Sequence, residues 1–409
     1  MKFALIGEKL KHSYSAEIHG NFGYDYLLEE ISHENLERFV KNNEYGGFNV
    51  TIPYKKAVIP FLDMLDETAV LAGAVNTVKK TDRGLIGHNT DIAGLKYLAD
   101  SADIDFKDKF VLILGTGGAS ESAVALAKAE GAKSVVKVGR NGENNYENIA
   151  KNSGAEIIIN ATPFGMYPLN NVSDKLIDLS IFKNLKAVID MIYNPLKTNL
   201  ILQAESLKIK AVSGLKMLIA QAKYARDIFI GEKIPNGIIE DIYRNLLKRT
   251  QNIALIGMPC SGKSTVGKSL ATALNKHFLD TDEVIKTAEG ISISEIFESK
   301  GETFFRECEA RAVADIGAKT GQVIATGGGA VLNPQNMDNL KQNGIIILIE
   351  RDIKRADGAG RPLLKDTESI KRLHEERAPL YKKYADFTVD NNGNINKTVK
   401  EIKDYLEKN

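Results

Sequence analysis

Twice along this chain a short aliphatic run ends in a glycine-rich turn and gives way to a helical pattern. Phe110–Leu114 leads into Gly115-Thr116-Gly117-Gly118-Ala119-Ser120, and Asn252–Ile256 leads into Gly257-Met258-Pro259-Cys260-Ser261-Gly262-Lys263-Ser264. Such a turn lets backbone approach a phosphate, and the helix that follows presents unpaired N–H groups to it. The device sits at the carboxyl end of a strand in a parallel sheet, so two copies point to two α/β nucleotide sites, the first with a plain structural turn as its alternative. Other short runs, Lys2–Ile6, Gly47–Ile52, Ser134–Val138, Ile157–Asn160, Ala187–Met191, Val323–Ala325 and Ile345–Glu350, alternate with amphipathic stretches. That alternation is the pattern of βαβ units.

With 409 residues, 43% apolar and 26% charged, the chain is long enough for two or three globular domains, and disorder and coiled coil are excluded. A net charge of +1 without a cationic stripe argues against a nucleic-acid partner. The longest apolar stretches, such as Val111–Leu114 and Ile345–Ile349, fall far short of the roughly 20 residues that cross a bilayer, so no membrane association is expected. One lysine followed by Phe3–Ile6 lacks the apolar core of a signal peptide, and a cytoplasmic location is expected. Cys260 and Cys308 show no CxxC or Cys/His spacing and are expected to be free thiols.

The helical pattern Asn236–Lys248 ends in Lys-Arg-Thr-Gln-Asn before the fresh strand Ile253–Ile256, which sets the expected domain boundary between residues 249 and 250. A second seam lies where Asn89-Thr90-Asp91 opens a helical stretch and polar Ser101–Lys109 leads to the first glycine turn.

In a site for NAD, an acidic residue about 20 positions beyond the glycine turn would bond the ribose 2′-hydroxyl. Here Ser134–Val138 runs instead into Gly139-Arg140-Asn141, and arginine suits a 2′-phosphate. The reading is NADP, with a solvated surface arginine as the alternative. Upstream, polar residues are embedded in apolar or glycine context: His12-Ser13-Tyr14-Ser15, Gly47–Lys55, Gly73–Thr77 and Gly87–Asp91. Small polar groups from separate loops suit a polyhydroxylated ligand, and Lys55 with Asp91 would form an acid/base pair for ketone reduction. Spacing alone leaves open a solvated lysine and an N-capping aspartate.

The second turn is a complete GxxxxGKS. Its backbone would cradle ATP phosphates, with Lys263 reaching the β and γ oxygens and Ser264 placed for magnesium. Cys260 inside it reads as a small tolerated residue rather than a nucleophile. Asp280-Thr281-Asp282 is expected to put two carboxylates on one face of an extended segment, one for hydrated magnesium and one for a substrate hydroxyl. Arg306 and Arg377 are candidates to fork an anionic substrate, each with the alternative of a surface ion pair. Gly327-Gly328-Gly329 would admit a ligand close to the backbone. Together these make a small-molecule kinase of nucleoside-monophosphate-kinase type.

The segments His12–Ser15, Gly47–Lys55, Gly73–Thr77 and Gly87–Asp91, with Asn160–Met166, Asp190–Pro195 and Gly214–Ala222, resemble the shikimate dehydrogenase family across residues 1–249. The departures are Ala16 where the family has proline and Gly139-Arg140-Asn141 where it has Asn-Arg-Thr. The resemblance implies that Lys55 and Asp91 are catalytic and that Ser13, Ser15, Thr51, Asn76, Tyr193 and Gln221 contact substrate. It assigns NADP to Gly115, Thr116, Gly117, Gly118, Ala119, Arg140, Met191 or Ile192, and Gly214. Residues 1–100 with about 222–249 would form the substrate-binding domain, and about 101–221 the Rossmann domain.

Residues 252–409 resemble shikimate kinase through Asp280-Thr281-Asp282, Gly301–Glu309, the triple glycine, Gly360-Arg361-Pro362-Leu363-Leu364 and Arg377-Ala378-Pro379-Leu380-Tyr381. By that resemblance Asp282, the candidate base, binds shikimate with Arg306, Gly328 and Arg377. Gly257, Ser261, Gly262, Lys263, Ser264 and Thr265 hold ATP, with Lys263 also catalytic. Ser264 and Asp280 serve Mg2+, and Arg361 lies on a lid. The expected fold class is therefore α/β: a substrate domain plus a Rossmann NADP domain, then a P-loop kinase domain with a central parallel sheet. The expected function is reduction of 3-dehydroshikimate by NADPH, then phosphorylation of shikimate by ATP. The alternatives are an NAD-using quinate/shikimate dehydrogenase joined to a kinase for another small alcohol, and a nucleotide-sensing regulator.

Overall fold

The strands Phe110–Leu114, Ile157–Asn160 and Ala187–Asp190 are almost entirely buried and aliphatic, as strands covered on both faces must be. They form the centre of a five-stranded parallel sheet in the order Lys210–Ser213, Ala187–Asp190, Ile157–Asn160, Phe110–Leu114, Ser134–Val138. The first and second strands of the sequence pattern thus lie side by side, which puts the turn after Leu114 next to Arg140. The computed structural model describes residues 2–10, 13–168, 170, 174–352 and 367–408.

A six-stranded mixed sheet precedes it, ordered Tyr26–Glu30, Phe3–Gly7, Gly47–Val50, Thr77–Thr81, Gly84–His88, Met64–Leu65. The first three strands pair in parallel, and the hairpin Thr77–His88 adds antiparallel strands. Its core includes Ile6, Val40, Phe48, Val50, Tyr54 and Val78, while Leu95, Leu98, Ile113, Leu126, Ile159 and Met217 pack together on the other sheet. Each fully buried aliphatic side chain contributes about 1.5–3 kcal/mol relative to exposure. Helices Asp91–Asp100 and Leu215–Ile230 pack closely because Gly94 lies against Gln221: a Cβ at Gly94 would fall 2.9 Å from the Gln221 Cβ.

A third sheet, all parallel, is ordered His277–Asp280, Gln322–Ala325, Asn252–Ile256, Gly344–Glu350, Phe387–Asp390. Its faces are filled by Ile256, Val313, Ile324 and Leu348 on one side and by Leu255, Leu270, Val323 and Ile347 on the other. The chain divides into two compact units. One comprises Met1–Asn170, Lys175–Asn194 and Gln203–Asn245; the other comprises Asn171–Asp174, Pro195–Leu202 and Leu246–Asn409. Among the described residues no helix is long and apolar enough to cross a membrane.

Candidate active sites

In the first unit the strand Gly47–Val50 ends at Thr51, and the short helix Tyr54–Ala57 then carries Lys55. Asp91 begins the helix Asp91–Asp100, with Thr90 as N-cap. Its carboxylate does not cap the helix; Lys55 Nζ donates to Asp91 Oδ2 at 2.6 Å, and Asn76 Nδ2 donates to Asp91 Oδ1 at 2.8 Å. Both partners are largely buried, with side chains 18% and 8% exposed, so the pair is shielded from the screening that weakens surface ion pairs. The solvated-lysine and capping-aspartate alternatives are thereby removed.

Of the expected ring, Asn76 and Gln221 gather at this pair, while Ser13, Ser15 and Tyr193 lie near one another. Gln221 Oε1 lies 3.4 Å from Asn76 Nδ2 and from Thr90 Oγ1. Ser13 Oγ donates to Ser15 Oγ at 2.9 Å, with Ser15 buried at the start of helix Ser15–Gly20. The Tyr193 ring approaches the Tyr14 ring, centroids 5.7 Å apart, which seats Tyr193 beside the two serines. Burial pushes its phenol up to about 12, so it is a hydrogen-bond donor at neutral pH.

The glycine turn is built against this site. Gly115 has φ +117°, Gly117 caps the helix Gly118–Ala129, and a Cβ on Gly118 would stand 3.6 Å from the Lys55 Cβ. Thr116 and Gly117 are exposed, and Ala119 lies in the first helical turn. Arg140 is exposed two residues past the adjacent parallel strand Ser134–Val138. Gly139 before it leaves room for Thr116, whose Cγ2 would stand 2.9 Å from an added Cβ. Gly214 caps helix Leu215–Ile230 where a Cβ would fall 2.2 Å from the Met191 carbonyl oxygen, a position only glycine fits. An exposed helix N-terminus, a flanking guanidinium and a neighbouring acid/base pair fit a phosphorylated dinucleotide.

In the second unit Gly257 (φ +144°) and Gly262 (φ +94°) shape the loop before helix Lys263–Leu274. A Cβ on Gly262 would strike Asn391 Nδ2 at 2.4 Å, and that amide holds the loop by donating to the Ser261 carbonyl at 2.8 Å. Lys263 is buried, its ammonium donating to the Gly257 and Met258 carbonyls at 2.9 and 2.8 Å. Thr265 follows, exposed, in the first turn. Ser264 Oγ donates to Asp280 Oδ2 at 2.6 Å, a pairing of hard oxygens suited to Mg2+.

One expectation is corrected. Asp280-Thr281-Asp282 is not an extended segment: Asp280 ends its strand and N-caps helix Thr281–Glu289 by accepting from the Asp282 backbone N–H, which places Asp282 in the first turn. A capping aspartate satisfies an orphan N–H and favours the helix, and that outweighs the extended alternative. At the triple glycine, protein groups occupy the space that side chains would take, while Gly327 and Gly328 remain partly exposed. Added Cβ atoms would meet Glu309 Oε1 (2.8 Å) and Asp282 Oδ1 (2.9 Å) at Gly327, Pro259 at Gly328, and Arg306 Nη1 (2.2 Å) at Gly329.

Those clearances bring Asp282, Arg306 and Gly328 together, and Arg377 joins them. It is buried on helix Thr367–Tyr384, beside Tyr381, whose hydroxyl donates to the Gly328 carbonyl. Gly301 (φ +81°) breaks helix Ile293–Gly317, so Arg306 rides on its second segment. The spacing missed Glu309. It is 1% exposed and accepts from Arg306 Nη1 at 2.8 Å; burial raises its carboxyl above the ordinary value, and the nearby Asp282 charge adds to this while Arg306 opposes it. The i, i+3 spacing of Arg306 and Glu309 on a helix was the available signal. Arg361 lies outside the described residues.

A family model described as the shikimate dehydrogenase substrate binding domain matches residues 5–78, and one described as shikimate kinase matches residues 259–407. A shikimate dehydrogenase (NADP(+)) of Clostridium beijerinckii is 34% identical over 262 residues, covering 59% of this chain and 96% of that relative. The solved shikimate dehydrogenase 1 of Peptoclostridium difficile is 36% identical with a TM-score of 0.56, covering 60% of this chain and 97% of its own. A solved chorismate mutase/shikimate 5-dehydrogenase fusion from Clostridium acetobutylicum is 34% identical with a TM-score of 0.57, covering 60% of this chain and 96% of its own. The chain belongs to the shikimate dehydrogenase family, and it continues beyond that part into a shikimate kinase domain.

Proposed function

We propose that Lys55 and Asp91 carry out the reduction, and that Lys263 and Asp282 carry out the phosphoryl transfer, in a bifunctional enzyme of the shikimate pathway. The first half converts 3-dehydroshikimate to shikimate with NADPH, and the second converts shikimate to shikimate 3-phosphate with ATP. The single observation that carries the assignment is the 2.6 Å Lys55–Asp91 pair set against the cofactor turn at Gly118.

NADPH, when bound, supplies a hydride to the substrate carbonyl carbon. Lys55 hands a proton to the carbonyl oxygen, and Asp91 holds the ammonium in line for that transfer. Ser13 and Ser15 bond the substrate carboxylate, while Asn76 and Gln221 orient the ring hydroxyls. Thr51 and Tyr193 complete the enclosure. Arg140 selects the 2′-phosphate, and the glycine turn with Gly214 accepts the rest of the cofactor.

In the kinase half, Asp282 accepts the proton of the substrate hydroxyl as the phosphoryl group arrives. Lys263 draws the β and γ oxygens of ATP, and Arg306 and Arg377 hold the substrate carboxylate. Mg2+, when bound at Ser264 and Asp280, neutralises phosphate charge. Supply of NADPH and ATP suits a location in the cytoplasm. A dehydrogenase of quinate using NAD is not favoured, because the relatives matched over this half bear NADP(+) in their names. A regulator without turnover is not favoured either, since both acid/base groups stand in place.

The test is to supply purified chain with 3-dehydroshikimate, NADPH, ATP and magnesium and to identify products by mass. Shikimate 3-phosphate formed only with both cofactors is the expected result. Shikimate that accumulates unphosphorylated would refute the kinase assignment, and unreacted 3-dehydroshikimate would refute the dehydrogenase assignment.

A further inference from the structure

Behind the dehydrogenase pair a file of buried hydrogen bonds crosses four strands of the mixed sheet and ends on Asp91. Tyr26 OH donates to Asn49 Oδ1 at 2.6 Å. Asn49 Nδ2 donates to the Asn76 carbonyl at 3.1 Å and to Thr77 Oγ1 at 2.9 Å. Thr77 Oγ1 donates to Asn76 Oδ1 at 3.0 Å, and Asn76 Nδ2 reaches Asp91 Oδ1 at 2.8 Å. Thr77 is 0% exposed, Asn76 3%, Asn49 4% and Tyr26 9%, so water does not compete for these bonds.

Two backbone groups give the file a single direction. The Asn76 carbonyl only accepts, which fixes the Asn49 amide with its nitrogen toward Asn76 and its oxygen toward Tyr26. The Thr90 backbone N–H only donates, at 2.8 Å to Asn76 Oδ1, which fixes the Asn76 amide with its nitrogen toward Asp91. Between these anchors Thr77 Oγ1 accepts a hydrogen bond from Asn49, so its own hydroxyl hydrogen is directed to Asn76 Oδ1, the nearer acceptor at 3.0 Å, rather than to Thr90 Oγ1 at 3.3 Å. Burial keeps the Tyr26 phenol protonated, and its ring is stacked on His19 with centroids 3.8 Å apart, so the first donor is held in place. Aligned buried bonds polarise one another in the same sense.

We propose that Tyr26, Asn49 and Thr77 are positioning residues of the reduction, acting through the Asn76 amide to hold the Asp91 carboxylate in the orientation that aligns Lys55. The inference rests on the assignment of Lys55 and Asp91 above. It adds residues that touch neither substrate nor cofactor. Their contribution falls mainly on the step in which the proton moves and only slightly on substrate binding through Asn76, because small misplacement of an acid/base pair slows transfer while most ligand contacts remain.

The test compares wild type, Thr77→Val, Thr77→Ser and Tyr26→Phe in steady-state reduction, with thermal unfolding run on the same samples. Valine keeps the shape of threonine and removes only the hydroxyl; serine restores it. The expected result is a fall of about tenfold in kcat for Thr77→Val and about threefold for Tyr26→Phe, with KM for 3-dehydroshikimate and NADPH within about twofold and Thr77→Ser close to wild type. If Thr77→Val unfolds early, the kcat and KM of Tyr26→Phe, which keeps the ring stack, decide the matter. Unchanged kcat in the folded variants overturns the proposal. So does a rise in KM at constant kcat, or a Thr77→Ser enzyme as slow as Thr77→Val. A wild-type chain that fails to reduce 3-dehydroshikimate would instead overturn the underlying assignment.

Discussion

Arg306 is held from two sides: its Nη1 donates to buried Glu309 at 2.8 Å and its Nη2 to exposed Glu302 at 2.9 Å. Both nitrogens lie against Gly329, and of the two carboxylates only Glu309 is shielded from water. Glu309→Ala is therefore expected to raise KM for shikimate by about tenfold or more while leaving KM for ATP within about twofold. The loss of one partner from a buried pair costs about 3–5 kcal/mol, so the kinase half will also unfold at lower denaturant. Steady-state kinetics with each substrate varied checks the first effect, and a shared rise in both KM values would contradict it.

Lys55 and Lys263 lie in different compact units, each with its own core. Lys55→Ala removes the proton donor and is expected to lower reduction by about 100-fold or more with phosphorylation unchanged. Lys263→Ala is expected to do the reverse. Parallel assays of both activities on each variant measure this, and joint loss from either substitution would show that the two sites depend on each other.

Arg140 is exposed beyond the end of a strand beside the glycine turn, so its proposed contact with the extra phosphate of the cofactor can be tested without disturbing the core. Arg140→Ala is expected to raise KM for NADPH by about tenfold and to leave KM for NADH unchanged. Equal effects on both cofactors would remove the arginine from the specificity determinants.

How much could be read beforehand depended on whether chemistry was carried by local spacing. The GKS turn stands in a short motif with few other uses, and strand-turn-helix periodicity gave both parallel sheets, whereas Lys55 and Asp91 were singled out as catalytic only through the family resemblance. Thr77 was not legible as a site residue, and Glu309 only weakly through its i, i+3 spacing from Arg306, because their roles arise across the fold. Thr77 faces Asn49 only through strand register, and Glu309 reaches the site through a helix re-aimed at Gly301. The triple glycine was read as an approach for a ligand; the packing of Glu309, Pro259 and Arg306 against those positions gives a second reason, not legible in the sequence, for the lack of side chains there. Asp280 was read by its carboxylate alone, and the competing demand of a helix N-terminus for an acceptor decided its local structure.

His19 provides a pH signature for the first unit. It is 1% exposed, Nδ1 lies 2.6 Å from the Tyr24 hydroxyl, and Nε2 meets no hydrogen-bond partner, so burial lowers its pKa from 6.5 to about 3. Above pH 6.5 the ring is neutral both folded and unfolded, and it gives stability no pH dependence. Between pH 6.5 and 3 the unfolded chain binds a proton that the folded chain refuses, so stability falls as pH falls, by up to about 1.4 kcal/mol per unit. At pH 5 the loss reaches about 2 kcal/mol. His19→Phe keeps a ring against Tyr26 and cannot titrate. It shifts absolute stability through the lost Tyr24 contact, but its slope between pH 6.5 and 5 is expected to be shallower than that of wild type by about one proton. Urea unfolding of the dehydrogenase half, followed by loss of reductase activity across that range, measures both slopes; equal slopes would mean that His19 protonates without unfolding the site.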